Sequence, residues 1–243
     1  MAEFFRRVEK KYILTRDQYL FFKDAIKEKM REDEHGKSTI CNIYFDSDEY
    51  DLIRHSITKP IYKDKIRLRS YNIPTMDSTV FLEVKRKYNK IVSKRRIEMK
   101  LSNFYKYLNN EENALENSQI KKELDYYFKF YKLKPTMFLS YYRRAFYDKE
   151  NDDFRLTFDS HVLARNYDLE LEKGNYGVHI LEKNYYIMEI KTLSAIPMWF
   201  VKLLNECKLA PCGFSKYGEA YTQLILNTND EENVNKKLVK SII

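Results

Sequence analysis

Two runs, Lys65-Ile-Arg-Leu-Arg-Ser-Tyr71 and Phe81-Leu-Glu-Val-Lys-Arg-Lys87, decide the fold of this chain. Each run alternates charged and apolar residues, which is the period of a β-strand whose two faces meet different surroundings. Alternate positions share a face, which groups Lys65, Arg67 and Arg69 on the first strand, and Glu83 and Lys85 on the second. Like charges side by side repel each other and resist desolvation, so this face predicts an anionic ligand.

The composition fits a basic protein without membrane spans. The chain has 243 residues, with 44 Lys and Arg against 36 Asp and Glu. This excess agrees with an anionic partner but does not distinguish nucleic acid, a membrane surface and phosphorylated small molecules. The three cysteines (Cys41, Cys207 and Cys212) lack partners at zinc-like spacing and predict a reduced, cytoplasmic protein. No apolar run approaches the ~18 residues of a membrane span, so we expect no transmembrane segment.

Further alternating segments predict an α+β domain dominated by antiparallel strands. Strand patterns occur over residues 4–14, 38–46, 90–100, 136–147, 154–162 and 185–192. Helix patterns occur over 17–31, 47–56, 197–208 and 220–226, and residues 101–133 are helix-prone. Charges on one face of so many strands cannot all meet solvent, so we expect a closed barrel with a polar interior and helices packed outside. Residues 1–226 would form this domain, and 227–243 a polar, basic C-terminal tail.

Short motifs recur in a fixed order along almost the whole chain. They are Glu9-x-Lys11-Tyr12, Tyr44-Phe45-Asp46, Ile66-Arg-Leu-Arg-x-Tyr71, Phe81-x-Glu83-x-Lys85, Tyr142-Arg143-x-Ala-Phe146, Arg155-x-x-x-Asp159, Glu189-x-Lys191 and Phe214-Ser215-Lys216. In this order they resemble the VTC domain, the catalytic domain of the vacuolar-transporter-chaperone polyphosphate polymerase. That domain belongs to the triphosphate tunnel metalloenzyme (CYTH-like) superfamily.

The resemblance implies a fold, an activity and a cofactor. The fold would be an eight-stranded antiparallel β-barrel, the triphosphate tunnel, with helices packed on its outside. Its lumen would hold a triphosphate or polyphosphate. In the VTC branch the γ-phosphate of ATP is transferred to a growing polyphosphate chain with a divalent cation, Mn²⁺ or Mg²⁺. Such hard cations prefer oxygen ligands.

The resemblance also implies a set of site residues. Phosphate would be bound by basic side chains that face the lumen: Lys11, Arg67, Arg69, Lys85, Lys94, Arg96, Arg143, Arg155, Lys191 and Lys216. The catalytic set among them would be Lys11, Arg67, Arg69, Lys85, Arg143, Arg155 and Lys191. Glu189 would be the metal ligand, with Glu9 and Glu83 as supporting carboxylates. Tyr44 would contact the nucleotide or order its strand.

One motif departs from the wider superfamily. CYTH enzymes open with Glu-x-Glu-x-Lys, whereas the corresponding residues here are Arg7, Glu9 and Lys11. The loss of the first carboxylate argues against two-metal triphosphatase chemistry and fits the more basic VTC branch.

Four functions remain open at this point. An ATP-dependent polyphosphate polymerase is preferred, followed by a metal-dependent triphosphatase and by a non-catalytic polyphosphate or nucleotide sensor. A nucleic-acid binder ranks last, because carboxylates on the basic faces would repel a long polynucleotide (Glu83, Glu98, Asp159 and Glu189). The expected partners are ATP and inorganic polyphosphate, with no nucleic acid. A membrane-protein partner for polymer export stays an open alternative.

Overall fold

One antiparallel sheet organises the protein. A computed structural model describes residues 8–228 except 90, 112, 113 and 194. The strands in this part of the chain are β1 (Val8–Thr15), β2 (Met30–Asp46), β3 (Tyr62–Tyr71), β4 (Thr79–Tyr88), β5 (Ile91–Lys100), β6 (Lys134–Asp148), β7 (Arg155–Arg165), β8 (Val178–His179) and β9 (Tyr185–Thr192). The helices are α1 (Arg16–Ala25), α2 (Asp51–Ile57), α3 (Leu101–Leu108), α4 (Gln119–Phe130), α5 (Met198–Glu206) and α6 (Lys216–Tyr221). A 3₁₀ turn covers Leu171–Lys173, and a π-helical turn over Thr222–Leu226 extends α6.

The sheet curls round so that its two ends approach each other. The strand order is β1-β9-β7-β6-β2-β3-β4-β5, with β8 added beside β7. Glu9 Oε2 on β1 nevertheless lies 3.6 Å from Lys85 Nζ on β4, next to the opposite end of the sheet. The charged faces therefore enclose a lumen, and the predicted α+β class and antiparallel tunnel are confirmed.

The barrel differs from the prediction in its closure and in its strand count, since the two-residue strand β8 is added to the eight main strands among the described residues. Within the described residues no backbone ladder joins β1 to β5. The exposed edge of β1 pairs instead with the segment before α6, where Cys212 N donates to Lys11 O at 2.8 Å. This single bridge holds the segment against the free edge of β1 near the seam, where the two end strands do not pair directly.

Apolar residues on the outer face bind the helices to the sheet. Ile66, Leu68, Leu82 and Val84 alternate with the charged residues of β3 and β4 and are at most 3% exposed. They join a core cluster with residues of α3 and α4, while a second cluster lies beneath α1 and α5. Each such side chain contributes about 1.5–3 kcal/mol by leaving water. The alternation read from the sequence thus separates a polar lumen from an apolar exterior.

The second strand is much longer than its sequence pattern predicts. The expected helix over 17–31 ends at Ala25, and β2 begins at Met30 rather than at residue 38. Residues 30 and 31 lie at the end of the predicted helix, but together with Glu32 they pair with β6. There Arg144 donates to both carboxylate oxygens of Glu32 at 2.7 Å, across a register shift. Cross-strand ion pairs replace the missing apolar alternation at this end.

Some predictions fall outside the described residues. These are the strand start before residue 8, the role of Arg7, and most of the tail, so the boundary at 226/227 stays a prediction. None of the helices within the described ranges is long and apolar enough to cross a membrane. The cytoplasmic location also stays a prediction.

Candidate active site

A buried carboxylate lies at the centre of the cationic side chains of β3, β4 and β5. Glu83 is 1% exposed, and Arg67 Nε donates to Glu83 Oε2 at 2.8 Å. Arg69 Nε lies 4.0 Å from the same oxygen, and Lys94 forms a close ion pair with Glu83 Oε1. Burial raises the pKa of Glu83, but these three cations outweigh burial and hold it at about 2. Glu83 is therefore ionised at neutral pH and holds the cations in place.

Arg69 extends the cationic group toward β6. Its Nε donates to Asn42 Oδ1 at 3.0 Å, and its Nη2 donates to the Tyr141 hydroxyl at 3.2 Å. Arg143 and Lys216 also lie near the Tyr141 ring, at 5.1 and 4.5 Å from its centroid. Burial raises the pKa of Tyr141, but Arg143, Arg69 and Lys216 outweigh burial and lower it to about 8. The Tyr141 hydroxyl is thus a titratable group within the cationic lumen.

A second buried carboxylate joins β6, β7 and α6. Arg143 donates from Nε and Nη2 to the two oxygens of Asp159, each at 2.7 Å, and Lys216 Nζ donates to Asp159 Oδ2 at 2.6 Å. Asp159 is fully buried, which raises its pKa, but Arg143 and Lys216 more than compensate and keep it low. This bidentate contact orients the guanidinium of Arg143 in the lumen.

The strands β1 and β9 supply the opposite wall. Lys11 is paired with Glu189, and Glu9 with Lys191, in the register of these strands. Lys191 Nζ lies 2.8 Å from Glu189 Oε1, and Lys11 Nζ lies 3.7 Å from Glu9 Oε1. Burial raises the pKa of Glu189, but Lys191, Lys11 and Arg143 together lower it strongly. Glu189 is therefore an ionised oxygen donor in the lumen.

Lys65 is a half-buried cation of a different kind. It shares a row with Lys85 and Lys94 across β3, β4 and β5. Its Nζ donates to Ser215 Oγ at 2.9 Å, and it has no carboxylate partner within the described residues. Burial first, and then Lys11, Lys85 and other cations, lower its pKa to about 7. Burial also lowers the pKa of Lys85 to about 8, although Glu9 opposes the shift.

Two of the predicted phosphate-binding residues form no ion pair with a carboxylate in the part of the chain that the structure describes. Arg96 is opposite Glu83 in the register but is exposed, with its guanidinium 4.5 Å from the Phe81 ring centroid. Arg155 is exposed as well and lies 4.7 Å from the Tyr147 ring centroid. Both residues stand at the rim of the charged surface, and their role in phosphate binding stays a prediction.

The predicted set omitted three residues that the structure brings into the site. These are Lys65, Tyr141 and Asp159. The first two have a signal in the sequence, because Lys65 shares a strand face with Arg67, and Tyr141 shares one with Arg143. Asp159 lies in a quoted motif, but only its contacts with Arg143 and Lys216 reveal that it organises cations.

Comparison with known proteins identifies the family. The family model described as the VTC domain matches residues 6–225. The chain belongs to the VTC domain family. This confirms the resemblance that the motifs indicate.

Solved structures with low sequence identity share the fold of this VTC domain. An adenylate-cyclase-like protein from Bacillus halodurans has 14% identity and a TM-score of 0.56, over 86% of this chain and 93% of that chain. An adenylyl-cyclase-like protein from Hippeastrum, described as having a dominant triphosphatase activity, has 15% identity and a TM-score of 0.54, over 89% and 96%. No curated protein matches the sequence. At these identities the similarity shows the fold alone.

The carboxylates of the VTC domain fit a divalent cation that takes most of its ligands from phosphate and water rather than from the protein. No group of three or more His, Cys, Asp or Glu side chains within the described part of the chain could cage a metal. Glu189 is ionised and offers hard oxygen atoms, with phosphate and water as the expected further ligands. Glu83 is enclosed by its cations, and Glu9 lies near Lys11 and Lys85. Their supporting roles toward a metal stay predictions.

The lowered pKa values of Lys65 and Lys85 predict how the stability of the domain depends on pH. Between about pH 7 and pH 9 the ligand-free domain should become more stable as the pH rises. In the folded state Lys65 loses its proton near pH 7 and Lys85 near pH 8. In the unfolded chain a lysine has its ordinary pKa of 10.5 and stays protonated through this range. The unfolded chain therefore binds more protons in this window. Tyr141 acts in the same direction, since its pKa of about 8 lies below its ordinary value of 10.0.

Urea unfolding at several pH values in this window measures the effect. The Lys65→Met variant should show a smaller rise in the midpoint, and the exposed Lys106→Met variant the full rise. Tripolyphosphate should also reduce the rise, because an anion beside Lys65 favours its protonated form. An unchanged pH dependence in Lys65→Met would contradict the assignment of this group.

Proposed function

We propose that this VTC domain is an ATP-dependent polyphosphate polymerase, which transfers the γ-phosphate of ATP to a growing polyphosphate chain. The observation that carries the proposal is the group of cations enclosed by the curled sheet (Lys11, Lys65, Arg67, Arg69, Lys85, Lys94, Arg143, Lys191 and Lys216). Its buried carboxylates are each shared among cations, so the lumen keeps an excess of positive charge. A linear chain of phosphates matches this charge and shape.

Phosphoryl transfer asks the protein mainly to position reactants and to neutralise charge. Arg67 and Arg143 are each oriented by a buried carboxylate and can contact phosphate oxygens with planar, paired donors. The lysines add mobile point charges along the chain. The terminal phosphate of the polymer is already an anionic nucleophile, so its attack on the γ-phosphate requires no general base.

The divalent cation would act beside Glu189. When bound, a Mn²⁺ or Mg²⁺ ion neutralises charge on the phosphate oxygens. Glu189 is held toward the lumen by Lys191 at 2.8 Å, and Lys11 is its neighbour across the strand pair. This arrangement allows the carboxylate to hold a cation while the two lysines contact the same phosphates.

A metal-dependent triphosphatase is the second candidate. It is favoured by the similarity in fold to the Hippeastrum protein, whose dominant activity is described as triphosphatase. A domain that only binds polyphosphate would use the same cations without turnover. The three functions differ in their products rather than in the residues that hold the phosphates.

Incubation of the purified domain with ATP and Mn²⁺ separates these functions. A polymerase produces long polymer, visible on a gel and removed by a polyphosphatase, together with ADP. Release of free phosphate without polymer would support the triphosphatase and overturn the polymerase. Binding of polyphosphate with no loss of ATP would support the sensor.

The Glu189→Gln substitution tests the carboxylate. We expect turnover to fall at least about tenfold, because the neutral amide is a poor ligand for a hard cation. Binding of tripolyphosphate without metal should be largely retained, since the cations of the lumen are unchanged. Titration of Mn²⁺ against activity is the measurement, and the exposed Glu206→Gln variant is the control. If Glu189→Gln and the wild-type protein show the same dependence of activity on Mn²⁺ concentration, Glu189 is not a metal ligand.

A further inference from the structure

A row of lysines continues beyond the predicted phosphate site. On the lumen face of β3, residues at steps of two run from Arg69 through Arg67 and Lys65 to Lys63. Lys63 is directly opposite Lys87 on β4, one step beyond the pair of Lys65 and Lys85. Neither Lys63 nor Lys87 belongs to the site predicted from the sequence motifs. The basic surface therefore extends toward the hairpin that joins β4 to β5.

These outer lysines lack the counter-charges found deeper in the lumen. Lys63 and Lys87 are half-buried, and within the described residues neither forms an ion pair with a carboxylate. Burial lowers the pKa of Lys63, and the positive charges of Lys87, Lys11 and Lys59 lower it further. By contrast, Arg67, Lys94 and Arg143 each contact a buried carboxylate. Unpaired cations packed together are unfavourable unless an anion lies against them.

The two ends of the row have different chemistry. In the cross-strand row of Arg69 the neighbouring positions are aromatic and acidic, because Arg69 is opposite Phe81, and Phe81 is opposite Glu98. The Phe81 ring also packs against Tyr71, 5.8 Å away. At the other end the row finishes in Lys63 and Lys87. An extended polyanion is therefore favoured at the lysine end and disfavoured at the aromatic end.

The length of the row exceeds what a nucleotide needs. Arg69 and Lys63 are six positions apart on β3, which corresponds to about 20 Å. The three phosphates of ATP occupy only part of such a row. The remaining positions suit further phosphates of a longer chain.

We propose that Lys63 and Lys87 form a subsite for the distal phosphates of a long inorganic polyphosphate, which enters or leaves the lumen at this end. The subsite distinguishes long chains from triphosphates. It rests on the proposed function only for the origin of the chain, because binding of added polyphosphate requires no synthesis.

Equilibrium binding of two inorganic ligands to the full chain tests the subsite. For the Lys63→Gln/Lys87→Gln variant we expect the affinity for long-chain polyphosphate to fall roughly tenfold, as two partly exposed contacts allow. The affinity for tripolyphosphate should stay within about twofold, since the inner site is intact. The control is Lys106→Gln/Lys122→Gln, which removes the same charge from exposed positions on α3 and α4.

Charge-preserving variants make the result decisive. Lys63→Arg/Lys87→Arg should retain long-chain affinity, which separates a charge effect from damage to the strands. An equal loss for both ligands in the glutamine variant, or no loss for the long chain, would overturn the subsite. So would equally tight binding of a single-stranded RNA with the same sensitivity to these lysines. Failure of the wild-type chain to make polymer from ATP would instead count against the proposed function and leave this comparison valid.

Discussion

Replacement of Arg67 with alanine is expected to lower ATP-dependent phosphoryl transfer by at least about 100-fold, the range seen when one positioned donor to a developing charge is removed. Arg67 is held by Glu83 at 2.8 Å and by the Tyr44 hydroxyl at 3.3 Å, so its guanidinium is fixed before substrate binds. A flexible lysine or a water molecule cannot reproduce this paired geometry. Arg67→Lys should therefore recover only part of the activity.

The effect of Arg67→Ala must come from the lumen and not from unfolding. Glu83 keeps Arg69 and Lys94 as neighbours after the substitution, so it remains compensated. Arg95→Ala is the matched control, because Arg95 is on the outer side of β5 and pairs with Glu123. Turnover, tripolyphosphate affinity and thermal unfolding should be measured together. Unchanged affinity and turnover in a folded Arg67→Ala protein would contradict the assignment of this lumen as the phosphate site.

The Asp159→Asn substitution should have the largest effect on stability. Asp159 is fully buried and accepts hydrogen bonds from Arg143 and Lys216, so its loss leaves two largely buried cations without their counter-charge. Breaking such a buried group costs about 3–5 kcal/mol of the free energy of unfolding. That is a large share of the 5–15 kcal/mol that typical domains possess. Urea unfolding near neutral pH measures the loss.

A second substitution separates buried charge from lost packing. The double variant Asp159→Asn/Arg143→Met removes one of the two cations that lost their counter-charge. Its free energy of unfolding should therefore exceed that of Asp159→Asn alone. Asp24→Asn, which disrupts only the exposed pair with Lys27, should leave the unfolding midpoint unchanged. A double variant that is less stable than Asp159→Asn would show that Asp159 does not act as the counter-charge of Arg143.

The sequence predicts much of the fold because the relevant pattern is local. The alternation in β3 and β4 depends only on the two-residue period of a strand, and it correctly assigns Arg67 and Ile66 to opposite faces. The N-cap of α1 is equally local, because Thr15 Oγ1 accepts a hydrogen bond from Gln18 N at 3.3 Å, only three positions away. The predicted start of β2 at residue 38 was wrong. The strand begins at Met30, because its first residues pair with residues of β6 more than 100 positions away.

The sequence by itself determined that basic residues share one face of several strands, a pattern that predicts an anionic partner. Only the tertiary structure decided which cations share a carboxylate and which have none. Lys65 meets Ser215 across 150 positions of sequence, and Lys11 meets Phe214 across 203. The reason is that strand period is set by neighbouring residues, whereas contacts across the lumen depend on the curvature of the whole sheet and on the segment that lies near its seam. Those long-range contacts also give most of the inner cations a carboxylate or hydroxyl partner, which Lys63 and Lys87 lack within the described residues.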